Sequence, residues 1–412
     1  ALCFLPEDGT AAPEAAEISR LCHSGGMPDD MLFSEGTCTA NSLLPRILHV
    51  ARADSSLRRA AADWVELCDW IPGLLTGCAA PDRIWRSRYA AGRFAPWPRG
   101  GRQAPAARFL SELGLAGIPA MTRGRMLSGA RAVGGLGAAW ARRLGLPAAI
   151  CVGLGMIGTQ AAVIGAGATP GTLMRSEEVA FPPVALADTE TIGTRIIPEA
   201  ISQISEGILP GTVALEMSPP GGFDGLVWLR ELLSWDAPGQ ARDVPDRLDA
   251  AAAQLPPGGT GVVASGWFTD RPGGAVLAGL SPAASAPAIY RALIEARAFA
   301  DRTVVDRLAT GGVTVTRLVV VPGAGGGNTL AARIAADVMG LSVDLLATPS
   351  PQTRGLAISL ATAAGEYRSI WEAQRAMAAP LEISCRPAPA ERNAYRDLST
   401  ATNHLMPTRM FS

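Results

Sequence analysis

The segment Leu318-Val-Val-Val321-Pro-Gly323-Ala-Gly325-Gly326-Gly327-Asn328 joins a β-branched run to a glycine-rich turn. Residues 329–339 follow with apolar side chains at helical spacing. This pattern predicts a buried strand, a tight turn and a helix that Asn328 caps. Glycine lets a ligand approach the backbone closely, and the free N–H groups of a helix start favour an anion. A nucleotide site and an ordinary strand–helix connection both remain open here.

Outside this segment, short β-like runs alternate with helical stretches along the second part of the chain. The strands are predicted at residues 149–152, 213–215, 262–264 and 318–321, and the clearest helices at 225–233, 286–310, 329–339 and 353–364. Such alternation is typical of an α/β domain with a parallel or mixed sheet. Gly145 and Pro147 end the preceding helical region. We therefore predict one domain over residues 1–147 and a second over residues 148–412.

Residues 146–168 contain no Asp, Glu, Lys or Arg, and their length would permit a membrane-spanning helix. Pro147 and several glycines weaken a helix of that length. We favour the alternative of a buried β-hairpin that turns near Gly158, and we expect no membrane association.

Composition excludes several classes of function. Of the 412 residues, 48% are hydrophobic, 5% are aromatic and the formal net charge is -1, so nothing favours nucleic acid or anionic lipid. The 7 cysteines form no Cys-x-x-Cys pair, and the 3 histidines lack the spacing of metal ligands. These features favour reduced thiols in a cytoplasmic protein and no resident metal site.

Two carboxylates follow β-like or turn sequence in the second part of the chain. Glu216 ends the run at 213–215, and Asp224 precedes the helix predicted at 225–233. A carboxylate at such a position could bind a sugar hydroxyl or a metal-bound water. Alternatively, Asp224 is a helix cap and Glu216 a solvated charge.

Several stretches, in order from about residue 14 to residue 364, resemble the FGGY family of carbohydrate kinases and its ribulokinase group most closely. The resembling stretches are residues 14–23, 47–52, 64–72, 139–147, 164–170, 289–299 and 323–337. The resemblance implies two ribonuclease H-like (actin-like ATPase) domains, with the first incomplete. It also implies transfer of the ATP γ-phosphoryl group to L-ribulose or a related pentulose, with Mg²⁺ as the accompanying ion. A cytoplasmic enzyme of arabinose catabolism, binding sugar and nucleotide and forming a homodimer, is the corresponding expectation.

The resemblance also assigns site residues. Nucleotide binding falls on Gly323, Gly325, Gly326 and Asn328. Substrate binding falls on Trp97, Glu216 and Asp224.

The departures from the family pattern concern catalysis. The family's Asp-x-Gly-Thr phosphate loop is not found ahead of the first resembling stretch. Gly158 stands where the family has its catalytic Asp, and Gln160 where it has a His; no catalytic residue is retained. Phe94 replaces a substrate lysine, and Glu-Val-Ala-Phe at 178–181 replaces the phosphate-contacting Gly-Thr-Ser-Thr turn, with Glu177 adding charge. A kinase of impaired activity and a non-catalytic homologue, or pseudoenzyme, therefore both remain open.

Overall fold

The computed structural model describes residue 4 and residues 8–22, 38–80, 82–94, 107–115, 125–177, 182–217, 225–234, 244–259, 261–266, 275–323, 326–348 and 350–402. Its helices are α1 (Ala12–Leu21), α2 (Leu43–Ala53), α3 (Ser55–Ala60), α4 (Leu67–Thr76), α5 (Arg88–Phe94), α6 (Ala107–Glu112), α7 (Ala138–Leu144), α8 (Gly158–Gly165), α9 (Thr189–Ile192), α10 (Gly225–Leu233), α11 (Val244–Ala252), α12 (Ala286–Thr310), α13 (Thr329–Met339), α14 (Pro351–Ala363), α15 (Ile370–Met377) and α16 (Pro389–Thr402). Its strands are β1 (Trp85–Ser87), β2 (Arg125–Leu127), β3 (Ala132–Gly135), β4 (Cys151–Gly153), β5 (Thr172–Ser176), β6 (Val184–Asp188), β7 (Ala200–Ser205), β8 (Thr212–Met217), β9 (Val263–Gly266), β10 (Ala275–Ala278), β11 (Arg317–Val321), β12 (Ser342–Leu346) and β13 (Leu381–Cys385).

The strand–turn–helix prediction at residues 318–339 is confirmed. β11 is buried from Leu318 onward, which suits β-branched side chains covered on both faces. The Asn328 side chain caps α13 by accepting the Ala331 N–H at 2.8 Å. Gly340 ends the helix with a φ of 67°, a left-handed conformation that glycine adopts without strain.

The long helix predicted at residues 286–310 is also confirmed with the same bounds. The Ser285 side chain caps its start, and Pro287 lies in the first turn, where a missing N–H costs nothing. Arg291 and Glu295, one turn apart on α12, form a buried ion pair at 2.8 Å. Tyr395 of α16 joins this pair, donating to Glu295 Oε1 at 3.0 Å and accepting from Arg291 at 2.7 Å. The core of this region therefore contains a fully bonded polar cluster.

The chain divides into two compact units. Unit 1 comprises Ala1–Pro170, Val184–Met217 and Ser350–Ala379, and unit 2 comprises Gly171–Pro183, Ser218–Pro349 and Pro380–Ser412. In unit 1, β8 lies between β6 and β7 and is antiparallel to both. In unit 2 the order is β13-β12-β11-β5, with β11 parallel to β12 and β5. The α/β class is confirmed, and the domain boundary after residue 147 stays a prediction.

The hairpin predicted around Gly158 is wrong. β4 pairs with β3 in an antiparallel ladder, and the chain then forms helix α8 from Gly158 onward. The glycines serve close packing instead of a turn: a side-chain carbon at Gly165 would lie 1.9 Å from the Pro351 carbonyl oxygen of α14. None of the helices within the described ranges is long and apolar enough to cross a membrane.

Candidate functional site

The glycine-rich turn of unit 2 closes on itself at the end of β11. The Gly326 N–H donates to the Gly323 carbonyl at 3.0 Å, and the two residues form an isolated antiparallel bridge. Gly326 has a φ of 96° and is exposed, and a side-chain carbon placed there would meet no atom of the described residues within 4 Å. The backbone is therefore open to close approach by a ligand. Gly325 lies outside the described residues.

Asn328 is held from three sides. Its side-chain oxygen caps α13, while its Nδ2 donates to Tyr290 Oη at 2.8 Å and to Asp249 Oδ1 at 3.0 Å. The Tyr290 hydroxyl in turn donates to Asp249 Oδ1 at 2.8 Å. Burial, followed by the Asp249 charge, raises the pKa of Tyr290, so this hydroxyl stays protonated and remains a donor. Asn328 therefore ties the turn to α11 and α12.

Glu177 approaches the same turn from the end of β5. Its carboxylate Oε2 accepts the Gly323 N–H at 3.4 Å, a long contact. Burial is the main cause of a raised pKa at Glu177, and Asp249 adds to it. Arg175, the Gly323 N–H and Arg297 act in the opposite direction. A carboxylate therefore lies against the backbone donor that begins the turn.

In unit 1, Gly158 and Gln160 lie at the start of α8. Gly158 is exposed, whereas Gln160 is 0% exposed. The Gln160 side chain donates to the Gly207 carbonyl at 3.0 Å and accepts from the Ser87 hydroxyl at 3.3 Å. Both halves of the amide are used, so Gln160 links α8 to its neighbours within the core.

Asp69 extends this network and was not singled out from the sequence. Its Oδ1 accepts the Ser87 N–H at 2.9 Å, and the residue is only 2% exposed. Burial raises its pKa to about 7, although the Ser87 N–H and the Arg86 charge lower it. The sole signal in the sequence was an acidic residue inside an apolar helix, α4.

Glu216 lies on the central strand of the β6-β8-β7 ladder and is 0% exposed. The Tyr89 hydroxyl donates to its Oε1 at 2.5 Å. The alternative of a solvated charge is therefore wrong, since the carboxylate is buried and bonded. Ser202 is paired directly opposite Glu216, and the described residues supply no hydrogen-bond partner for its buried hydroxyl. Directly opposite residues of a ladder share a face, so this hydroxyl and the carboxylate are neighbours.

Several predicted site residues cannot be placed. Trp97, Asp224 and residues 178–181 lie outside the described residues. Phe94 ends helix α5, and nothing is described of its side chain.

Comparison with known proteins relates the second part of the chain to a protein family. Residues 161–364 match the C-terminal domain of the FGGY family of carbohydrate kinases. These residues are an FGGY C-terminal domain. Over nearly the full length of the chain, ribulokinase from Vibrio parahaemolyticus is 28% identical across 429 aligned positions, which span 97% of this chain and 76% of that protein. Ribulokinase from Shouchella clausii is 27% identical, with coverage of 94% and 71%. The family resemblance is confirmed.

The solved structures agree on the fold of the chain. Xylulose kinase from Rhodospirillum rubrum matches with a TM-score of 0.77 at 23% identity, over 97% of this chain and 79% of that one. Glycerol kinase from Plasmodium falciparum, solved with ADP, matches with a TM-score of 0.71 at 15% identity, over 95% and 78%. The fold is that of the sugar kinases of the actin-like ATPase class.

FGGY kinases use ATP, and Mg²⁺ is usual for them. The open backbone at Gly326 fits the close approach of a nucleoside, whereas the Glu177 carboxylate at the Gly323 N–H does not fit a phosphate. Among the residues described, no group of three or more His, Cys, Asp or Glu could hold a metal ion. Mg²⁺ commonly binds through substrate phosphates and one or two carboxylates, so no ligand is assigned to it here.

Proposed function

We propose that this chain is a ribulokinase-like carbohydrate kinase that binds a pentulose and a nucleotide but transfers the phosphoryl group slowly. Ribulokinases with similarity over most of the chain support the substrate class, L-ribulose or a related pentulose. The proposal includes cytoplasmic location, a role in arabinose catabolism and ATP with Mg²⁺ as the phosphoryl donor.

The proposed impairment of catalysis rests on the residue at the start of α8. By the family resemblance, the residue at position 158 receives the proton of the sugar hydroxyl, and here it is an exposed glycine without a side chain. General-base catalysis contributes a factor of about 10²–10⁴ in rate. Gln160, in the position of a family histidine, is fully buried and bonded to Gly207, so it is not available to replace the base.

The buried cluster of Tyr89, Glu216 and Ser202 supports binding of a polyhydroxylated ligand in unit 1. The Tyr89 hydroxyl donates to one oxygen of the Glu216 carboxylate, and the buried Ser202 hydroxyl lies beside that carboxylate. In this proposal Glu216 positions Tyr89, and Ser202 contacts a sugar hydroxyl or an intervening water. Trp97 and Asp224 are retained as substrate residues on the family resemblance alone.

A coupled kinase assay with L-ribulose, D-ribulose and D-xylulose tests the catalytic part of the proposal. We expect turnover at least about 100-fold lower than that of an FGGY kinase that has the aspartate. Gly158→Asp alone should restore little, because the Glu177 carboxylate remains beside the glycine-rich turn. Gly158→Asn is the matched control, since it has the same shape and cannot accept the proton. Ordinary turnover by the unmodified chain would refute the proposed impairment.

Binding of the sugar is tested separately. Ser202→Ala should weaken the binding of L-ribulose several-fold in calorimetry while leaving unfolding unchanged, because the hydroxyl has no partner in the described residues. Equal sugar affinity in both proteins would remove Ser202 from the proposed site.

A non-catalytic homologue is the second candidate, favoured by the fully bonded Gln160 at the start of α8. It predicts sugar and nucleotide binding with no phosphoryl transfer even in the Gly158→Asp protein. Phosphorylated product from that variant would decide for the kinase.

A further inference from the structure

We propose that Glu177 determines which ligands the glycine-rich turn accepts. Its ionised carboxylate occupies the position of a ligand phosphate at the Gly323 N–H, so the turn binds a neutral nucleoside in preference to the phosphorylated forms. This inference rests on the proposed nucleotide binding, with the glycine-rich turn taken as the nucleotide site from the family resemblance.

The backbone fixes Glu177 beside the turn. β5 and β11 are parallel neighbours, and their last residues, Ser176 and Val321, are partners in the ladder. The Glu177 N–H extends the ladder by donating to the Val321 carbonyl at 2.9 Å. The side chain of Glu177 then reaches Gly323, two residues beyond β11. This location follows from sheet register, so the carboxylate stays near the turn even when its contact opens.

The basic groups that face Glu177 are already bonded to other partners. Arg175 of β5 forms a buried ion pair with Asp301 at 2.7 Å, and both side chains are at most 4% exposed. Arg297 of α12 donates to the Ser176 carbonyl at 2.9 Å. Asp249 of α11 adds a further negative charge that raises the pKa of Glu177. The positive charge near Glu177 is therefore offset, and a second anion is not favoured there.

The contact with the Gly323 N–H is weak enough to be reversible. A donor–acceptor distance of 3.4 Å lies beyond the usual range for N–H···O bonds. A neutral nucleoside can bind beside an ionised carboxylate, whereas a diphosphate would add like charge next to it. Protonation of Glu177, or its replacement by glutamine, removes that repulsion without changing the shape of the side chain.

The test compares adenosine and ADP binding to the unmodified protein, Glu177→Gln and the control Glu366→Gln. Glu366 is exposed in the turn after α14, in unit 1. At about pH 8, Glu177→Gln should bind ADP at least about tenfold more tightly than the unmodified protein, since like charges a few ångströms apart repel strongly near a protein surface. Adenosine affinity should change less than about twofold, and Glu366→Gln should match the unmodified protein.

The pH dependence supplies an independent readout. Lowering the pH should raise the ADP affinity of the unmodified protein relative to Glu177→Gln, because burial raises the pKa of Glu177 and only the unmodified protein can gain a proton at position 177. If adenosine binds but Glu177→Gln leaves the ADP affinity unchanged, the inference is overturned while the nucleotide site stands. If neither protein binds adenosine or ADP, both the inference and the proposed nucleotide site are overturned.

Discussion

Replacing Asn328 tests whether its side chain organises the glycine-rich turn. Asn328→Ala removes the cap on the Ala331 N–H and both Nδ2 bonds, to Tyr290 and Asp249. The cap contributes about 1 kcal/mol. The two remaining bonds contribute about 0.5–1.5 kcal/mol each, toward the lower end because the residue is half-buried and water can replace it. The expected loss of unfolding free energy is about 2–3 kcal/mol.

Asn328→Ser separates these contributions, because serine keeps a capping oxygen and lacks the amide donors. This variant should lose only about 1–2 kcal/mol, and its Ala331 N–H should exchange with solvent more slowly than that of Asn328→Ala. Urea unfolding gives the free energies of unfolding, and hydrogen exchange of the peptide over residues 326–339 reports the local opening of the turn and of α13. Equal stability and equal exchange of the two variants would show that the side chain does not cap α13.

Three further changes test the packing and charge of the core. The free energy of unfolding should decrease as the pH rises from about 4 to about 7, because burial raises the pKa of folded Asp69 to about 7, well above the ordinary value of an aspartate. In urea unfolding over this range, the Asp69→Asn protein should lose up to about 4 kcal/mol less than the unmodified protein, and an identical pH profile would contradict the prediction. Gly155→Ala should lower the free energy of unfolding, measured by thermal unfolding, by at least about 3 kcal/mol, because its methyl group would lie 1.6 Å from the Cys68 carbonyl oxygen. An unchanged stability would mean that the backbone segments at residues 68 and 155 can separate. Asp301→Ala should lower the free energy of unfolding by about 3–5 kcal/mol, because it leaves Arg175 buried without its ion-pair partner. The double variant Arg175→Met, Asp301→Leu should have nearly the stability of the unmodified protein, and equal losses in both variants would mean that the two charges act independently.

The regular elements of the second half of the chain were predictable because their signals are local. Helices α12 and α13 begin directly after Ser285 and Asn328, whose side chains cap them, and both helices end before a glycine. The β-branched run of β11 predicted a buried strand. Caps, periodicity and β-branching are all properties of a few neighbouring residues.

The error at Gly158 shows what a local pattern does not contain. The glycines of residues 153–165 have the composition of a turn, yet Gly155 and Gly165 lie against backbone from distant parts of the chain. The site networks were missed for the same reason. Asp69, Ser87 and Gln160 meet only after folding, and the contact between Glu177 and Gly323 depends on the parallel register of two strands.

The crossing of α8 and α14 has a consequence for rebuilding activity. At Gly165 and Gly355 the two backbones approach without side chains between them, and Gln374 holds the carbonyls of Ile164 and Ala168 at the end of α8. A helix braced in this way cannot slide along its neighbour without losing those contacts. A carboxylate introduced at position 158 would therefore have a backbone position that is fixed by the packing of α8. Directed evolution of this chain would need to vary the side chains around position 158 and not the position of the helix.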